Sequence, residues 1–467
     1  MNYLGIHYQI KNQPKLDTAF IPLGKWMTAF LSDATHPVRI GVEREDQLIS
    51  VFDTFIHNTP EFRNADFRYL ERVIKFLLWS KGGFRIYLYG ADSFVDELSR
   101  LYSYDESDDT QNGERWFDVQ FMSDVYQKHL EVVACESLSD FPSENETSDS
   151  FGGNYGGNRI GIDLGGSDIK ISSLENGELV YADEIVWHPK DYEDCSYHFD
   201  TIVSVLKNAE KKLSTVDSVG MSTAGVLIGN APMVSSLFIK VSRNPVVRKE
   251  VHTIFDRAVQ EIGDGNVPLV VANDGDVAAL SAAMEFDKRS VLGLAFGTSL
   301  AGGYVDDERR VRGWFNELAF APVDLNEQAP IDPWSHDRGV GCEYLSQDAV
   351  ARLFDEELPS DSMTKAEILT HVQTQLQQGN ATAHAVFETM GTYLAHILYL
   401  YHLFYDYSCV ILLGRVMSGL SGEVILQTCE NVMQSEYPEL FNEIELLLPE
   451  ESMRRVGQSI AAASLPE

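Results

Sequence analysis

The sequence predicts a two-lobed α/β fold over residues 159–467, preceded by a small α/β domain at 1–138. Three observations carry that expectation. From residue 159 onward, short apolar runs alternate with helix-like stretches, the texture of α/β architecture. Two glycine hairpins of the same grammar, at 158–173 and 291–305, flank a strand-end Asn273-Asp274. A tract rich in Ser, Glu, Asn and Gly at 139–158 divides this region from what precedes it and reads as a flexible linker.

The 467 residues make several domains the default expectation, and 44% hydrophobic residues suffice for large cores. Against 36 bases stand 71 acids, a formal net charge of -35. That surface repels phosphate backbones and anionic lipid, so neither nucleic acid nor membrane is expected as a partner. It does not exclude ATP, which backbone N–H groups and Mg²⁺ hold locally. The five cysteines, at 135, 195, 342, 409 and 429, form no CxxC pair. They suggest no disulfide framework and a reducing cytoplasm. The most apolar stretch, 394–414, is interrupted by His396, His402, Asp406 and Ser408. It reads as a buried helix running into a buried strand rather than a membrane span.

Within 1–138, strands are expected at 38–42, 48–52 and 84–89 and helices at 67–78 and 93–102. An acidic exposed loop at 104–113 is followed by further strands at 117–121 and 130–133. No catalytic motif is found there. Arg39-Ile-Gly-Val-Glu43 echoes Arg159-Ile-Gly-Ile-Asp163, too briefly to count as a repeat.

After the linker, a hydrophobic strand carries Asp163 and turns at Gly165-Gly166-Ser167 into a second strand bearing Lys170. Adjacent glycines let backbone approach a polyphosphate, and the Ser167 hydroxyl and turn N–H groups donate to its oxygens. Asp163 is placed to hold Mg²⁺ through water. Taken alone, an ordinary glycine hairpin explains these residues almost as well. A second apolar strand ends at Asn273-Asp274-Gly275-Asp276 and opens a small-residue helix. Asp274, at the carboxyl edge of a strand, suits a base that deprotonates a hydroxyl, and Asp276 suits the helix cap. The third segment repeats the first: a strand, Gly297-Thr298, then Gly302-Gly303 opening another strand. The fourth, Cys409-Val-Ile-Leu-Leu-Gly-Arg-Val-Met-Ser-Gly419, is a buried strand opening into a glycine turn suited to an adenosine. Finally, 456–463 is a helix of small residues that permits close packing on a sheet.

This order resembles the ROK (repressor, open reading frame, kinase) family of the hexokinase and actin-like, ribonuclease H-like superfamily, over 159–467. The resemblance implies an actin-like first lobe from 159–285 plus 455–467 and a second from 286–454. It implies an ATP-dependent kinase for a hexose or related sugar, with Mg²⁺, the sugar in an interlobe cleft, and a homodimer. Asp274 becomes the general base, and Gly225, Asn273, Glu317 and Glu343 become sugar contacts. Asp163, Gly165, Gly166, Ser167, Lys170, Gly297, Thr298, Gly302, Gly414 and Arg415 become nucleotide contacts. Departures are equally legible. Phe320 stands where the family's Gly-Glu-Ile-Gly-His stretch has its histidine. Of the CxCGxxGC zinc pattern only Cys342 is kept, so no zinc site is expected. Arg415 replaces a glycine of the adenosine motif. These departures motivate an alternative, a catalytically degenerate sugar- or nucleotide-binding relative with a regulatory role. A DNA-binding repressor is disfavoured, because a basic helix-turn-helix segment is lacking before the first phosphate motif.

Overall fold

The structure, a computed structural model, describes residues 1–103, 115–146, 151–241, 244–360, 362–449 and 457–467. The acidic loop expected at 104–113 lies outside the described residues. The mixed α/β class expected from the sequence is the one adopted. The chain divides into two compact units. One comprises residues 1–147, 294–302 and 314–448, and the other 148–293, 303–313 and 449–467.

The second unit is built on a five-stranded sheet in the order Leu269–Asn273, Ser218–Thr223, Asn158–Leu164, Asp168–Glu175, Glu178–Val186. The first three strands run parallel, and the last two are added as antiparallel hairpins. Asn176 (φ 50°) and Gly177 (φ 85°) make the tight turn between the last pair. The buried runs Ile160, Ile162, Leu164 and Val219, Met221 feed a core shared with Ile202, Leu206, Ile254 and Phe255. The small-residue helix Gly457–Ala463 lies on this sheet. A Cβ on Gly161 would overlap the Ser459 carbonyl oxygen, and one on Gly220 would overlap that of Ala462. Glycine is required at both positions because helix and strand backbones approach too closely for any side chain.

In the first unit, residues 1–138 form no unit of their own. The expected strands, found at His36–Glu43, Ile49–Ile56, Arg85–Tyr89 and Glu131–Ala134, form one sheet. The helix Arg63–Lys81 follows the second of them. Two elements not foreseen anchor this region to the rest of its unit. Pro22 bridges Asp324, and the Leu23 N–H donates to the Val323 carbonyl at 3.1 Å. The helix Leu23–Leu31 packs on Ala381–His402 so tightly that a Cβ on Gly24 would lie 3.0 Å from Leu400 Cα. Phe404 stacks against Phe76 and Phe52, with ring centroids 4.0 and 5.1 Å away. The strand expected at 117–121 is instead part of the helix Trp116–Tyr126. Around Arg39 and Arg159 both segments are strands, but their pairings differ. His36–Glu43 is antiparallel to both neighbours, whereas Asn158–Leu164 has one parallel and one antiparallel partner.

The tract expected to be a linker is tied down on both sides of the undescribed 147–150. Glu146 accepts from Arg44 Nη2 and Trp314 Nε1, each at 3.0 Å. Phe151 bridges Val311, and the Gly152 and Asn154 amides donate to the carbonyls of Leu465 and Ser464. The small residues that suggested flexibility let this backbone approach its neighbours. The apolar stretch 394–414 is the end of the helix Ala381–His402 and the strand Cys409–Leu413. Among the described residues no helix is long and apolar enough to cross a membrane. All five cysteines are free and buried.

Candidate active site

In the second unit, register brings the chemistry together. Ser222 pairs with Asp163, and Thr223 with Asn273, so three adjacent parallel strands end side by side. Asp163 is 5% exposed and accepts from the Ser222 hydroxyl at 2.9 Å. Burial raises its carboxyl above the usual range, while that hydrogen bond and the Lys170 charge oppose the rise. Lys170 Nζ stands 2.8 Å from Asp168 and 3.8 Å from Asp163. It therefore neutralises this acidic edge rather than reaching outward. Beyond Asp163, Gly166 and Ser167 are exposed and Gly165 half-buried. The turn is closed by Gly165 N–H donating to Asp168 O at 2.9 Å. Trp187 Nε1 holds the Gly165 carbonyl at 2.7 Å, and the Ser167 hydroxyl donates to Asp168 Oδ2 at 3.1 Å.

Asn273 caps the helix Asp274–Glu285: its side-chain oxygen accepts from the Gly275 N–H at 2.7 Å. That role had been expected of Asp276, which is buried and instead accepts from the Tyr304 N–H at 3.0 Å. The Asn273 amide nitrogen also donates to Gly225 O at 2.8 Å. This holds the loop at Gly225 (φ 116°), where a side chain would strike Val234 O. Asp274 is half-buried at the helix start, its carboxyl pushed up to about 6 by burial and by the Asp163 charge. A carboxylate poised there is ionised near neutral pH yet basic enough to accept a proton.

In the first unit, Gly297 closes the second hairpin by donating to Ser299 O at 2.9 Å, and Thr298 is exposed beside it. Gly302 is buried, and a Cβ there would lie 2.8 Å from both Asn316 O and Leu318 Cδ1, so its missing side chain serves packing. Gly414 (φ 96°) needs its left-handed backbone at the end of Cys409–Leu413. The Arg415 side chain is exposed, while its carbonyl accepts from Gln373 Nε2 at 3.0 Å.

Glu317 is half-buried in the turn before Phe320. Phe320 is buried among Trp79, Phe117 and Trp334, with ring centroids 4.7, 5.3 and 5.2 Å away. The histidine position of the resemblance is thus filled by an aromatic cluster whose Trp79 and Phe117 come from the N-terminal region. Glu343 is 6% exposed, and burial first, then the Asp348 charge, pushes its carboxyl up to about 7. Sequence reading missed its neighbour Asp332, which accepts from Cys342 Sγ at 3.6 Å. Burial and Asp332 raise the Cys342 thiol strongly. Among the described residues, Asp332, Cys342 and Glu343 are the one cluster whose donor atoms, all within 4.8 Å, could hold a metal ion. Ten residues separate Asp332 from Cys342, and no spacing rule signals the pair.

Comparison with known proteins places this arrangement. The ROK family profile matches residues 159–446. The N-acetyl-D-glucosamine kinase of Photobacterium profundum is 28% identical over 208 residues, 42% of this chain and 64% of that protein. The N-acetyl-D-glucosamine kinase of Aliivibrio salmonicida is 26% identical over 183 residues, 38% of this chain and 54% of that one. The chain thus spans between half and two thirds of the length of these relatives. In fold it is similar to the ROK hexokinase from Thermus thermophilus, with a TM-score of 0.50, 19% identity, and 65% of this chain and 97% of that one covered. A ROK family transcriptional regulator, a homologue of the E. coli Mlc protein, gives a TM-score of 0.51 at 16% identity, covering 67% and 78%. With the family profile matched over more than half its length, the chain belongs to the ROK family.

Proposed function

We propose that the chain is an ATP-dependent sugar kinase with Asp274 as general base. The observation that carries this reading is the Asp274 carboxyl, pushed up to about 6 at the carboxyl end of a parallel strand. As a sugar hydroxyl oxygen bonds to the γ-phosphorus, the bond from that phosphorus to its bridging oxygen breaks and ADP leaves. The hydroxyl proton passes to Asp274 and on to solvent. In the second unit the exposed Gly166 and Ser167 are assigned to phosphate oxygens; in the first unit, taken by itself, the exposed Thr298 is assigned to phosphate and Gly414 and Arg415 to the nucleotide. Asp163, buried and already bound by Ser222, suits a water-mediated hold on Mg²⁺, which neutralises phosphate charge when bound. Within the second unit Asn273 and the Gly225 loop are assigned to sugar binding, and within the first unit Glu317 and Glu343. A homodimer in the cytoplasm completes the proposal, and the free cysteines support a reducing compartment.

The relatives' names make N-acetylhexosamines the first substrates to try. Coupled ADP release is measured over N-acetylhexosamines, hexoses and pentoses, for the parent and for Asp274→Asn. The substitution is expected to lower kcat by about 10²–10⁴ without loss of fold. Undiminished turnover would remove Asp274 from the mechanism. The second reading, a sugar- or nucleotide-binding protein without turnover, is motivated by Phe320 in its aromatic cluster and by Arg415. Calorimetric binding of a sugar with no ADP release across the panel selects it. The similarity to a transcriptional regulator concerns fold, and the net charge of -35 opposes DNA binding. A low-salt gel shift tests that point.

A further inference from the structure

A cavity of about 700 Å³ lies wholly within the first unit, away from every residue assigned above to sugar or nucleotide. Its lining includes Arg68, Arg72, Arg115, Arg338 and His336. Four guanidiniums around one cavity are unexpected in a chain of formal charge -35. The lining carboxylates are Asp324, Asp337 and Glu327, and two of them already hold partners, one of these partners being Arg115 itself. Asp337 binds Lys75 at 2.5 Å and Arg115 at 3.0 Å. Asp324 accepts from the Ile21 and Asn326 N–H groups, each at 2.8 Å, and from the Tyr344 hydroxyl at 2.7 Å.

An internal ion-pair network would account for part of this, since Glu71 binds Arg72 at 2.5 Å. It accounts for Arg115 only in part. Its Nη1 pairs with Asp337 Oδ1 at 3.0 Å and with Asp118 Oδ2 at 3.2 Å. Its Nε, on a residue 7% exposed, has no hydrogen-bond partner among the described residues, Glu71 Oε1 lying 3.5 Å away. A buried donor left without an acceptor is costly, because its desolvation is not repaid. Arg115 also stands at the N-cap of the helix Trp116–Tyr126, which no side chain caps. Trp116 and Phe117, in its first turn, line the same cavity. A helix start, a buried guanidinium and rim guanidiniums converging on one space form an anion site, and the neighbouring rings can cover the body of a ligand. The volume lies in the range of small-molecule sites and exceeds what a bare oxyanion needs.

We propose that this cavity is a second ligand site, taking a small phosphorylated metabolite through Arg68, Arg72, Arg115 and Arg338. Several donors arriving from different directions suit a tetrahedral phosphate better than a flat carboxylate. Binding here is separate from the proposed transfer reaction and reads out without turnover.

The test is calorimetric titration of the full chain with inorganic phosphate and with a hexose 6-phosphate, followed by hydrogen exchange. Saturable binding is expected, with exchange protection over Trp116–Tyr126 and Arg63–Lys81. It should weaken about tenfold or more in Arg68→Gln/Arg338→Gln and stay unchanged in Asp274→Asn. Arg338 is exposed, so Arg338→Gln alone keeps the test open if the double variant loses its fold. No saturable binding of either probe overturns the proposal. So does protection confined to the Asp163 hairpin, or undiminished affinity in a folded rim variant.

Discussion

Asp274 meets two opposing demands. The proposed reaction needs it ionised, as a base, yet half-buried beside Asp163 it resists ionisation. The rate constant kcat/KM is therefore expected to rise with pH through about 6, and a profile flat from pH 5 to 8 would exclude this carboxyl as the base. The same shift acts on stability. The folded carboxyl titrates near 6 and the unfolded one near its ordinary 3.8, so between these values the folded state binds more protons. Stability from this residue then falls as pH climbs through that window and stays reduced above it. Asp274→Asn should raise stability at pH 7 by about 1–3 kcal/mol, after allowing for its partial exposure, and by much less at pH 4. Thermal midpoints at the two pH values check the sign. At this scale the sequence was informative where a residue's role follows from strand position: Asp163 and Asp274 stand at strand ends as their flanking apolar runs implied. It was uninformative where the role depends on a partner far along the chain. Nothing local tells that Asn273, rather than Asp276, caps the helix, because Asp276 is drawn away by Tyr304 N–H. Asp332 is invisible for the same reason.

Among elements, period-two and helical patterns identified the strands and helices of the sheets, with one instructive failure. In 117–121, Phe117, Val119 and Phe121 alternate like a strand, yet they lie on a helix. The alternation misleads because that helix also buries Asp118, whose carboxylate accepts from Lys75 at 2.7 Å and from Trp79 Nε1 at 2.7 Å. A polar residue hidden by an ion pair erases the helical period. Close packing of Gly457–Ala463 on its sheet was legible from composition alone, and it can be challenged directly. Gly220→Ala sets a methyl against the Ala462 carbonyl, backbone against backbone, where nothing flexible can yield. A loss of about 1–3 kcal/mol or more is expected in urea denaturation. A loss under half a kcal/mol would mean that the helix sits farther off than described.

On the scale of the whole molecule, residues 1–147 share a compact unit with 294–302 and 314–448. Composition marks the 139–158 tract as a boundary, but contact lies elsewhere, in aromatic faces that no local window reveals. Phe76 is fully buried between that region and Phe404, within one unit. Phe76→Ala is expected to cost about 3–5 kcal/mol. It should lower the unfolding midpoint of Trp79 and of the family-matched part of that unit together, read by fluorescence and by hydrogen exchange. Independent transitions would restore the picture of an autonomous leading domain. The replaced histidine has its explanation at this scale too: Phe320 completes an apolar cluster that Trp79 and Phe117 bring from outside the family-matched segment.

The seal between the strand at Asn158–Leu164 and the helix that covers it also has a temporal side. Arg159 Nη1 reaches the Pro466 carbonyl, 307 positions later. At about 5–20 residues per second, a ribosome needs roughly 15–60 s to deliver that partner. Late in that interval the helix Asp274–Glu285 has been made but its partner at Gly457–Ala463 has not, so closure of this unit waits on residues 457–466.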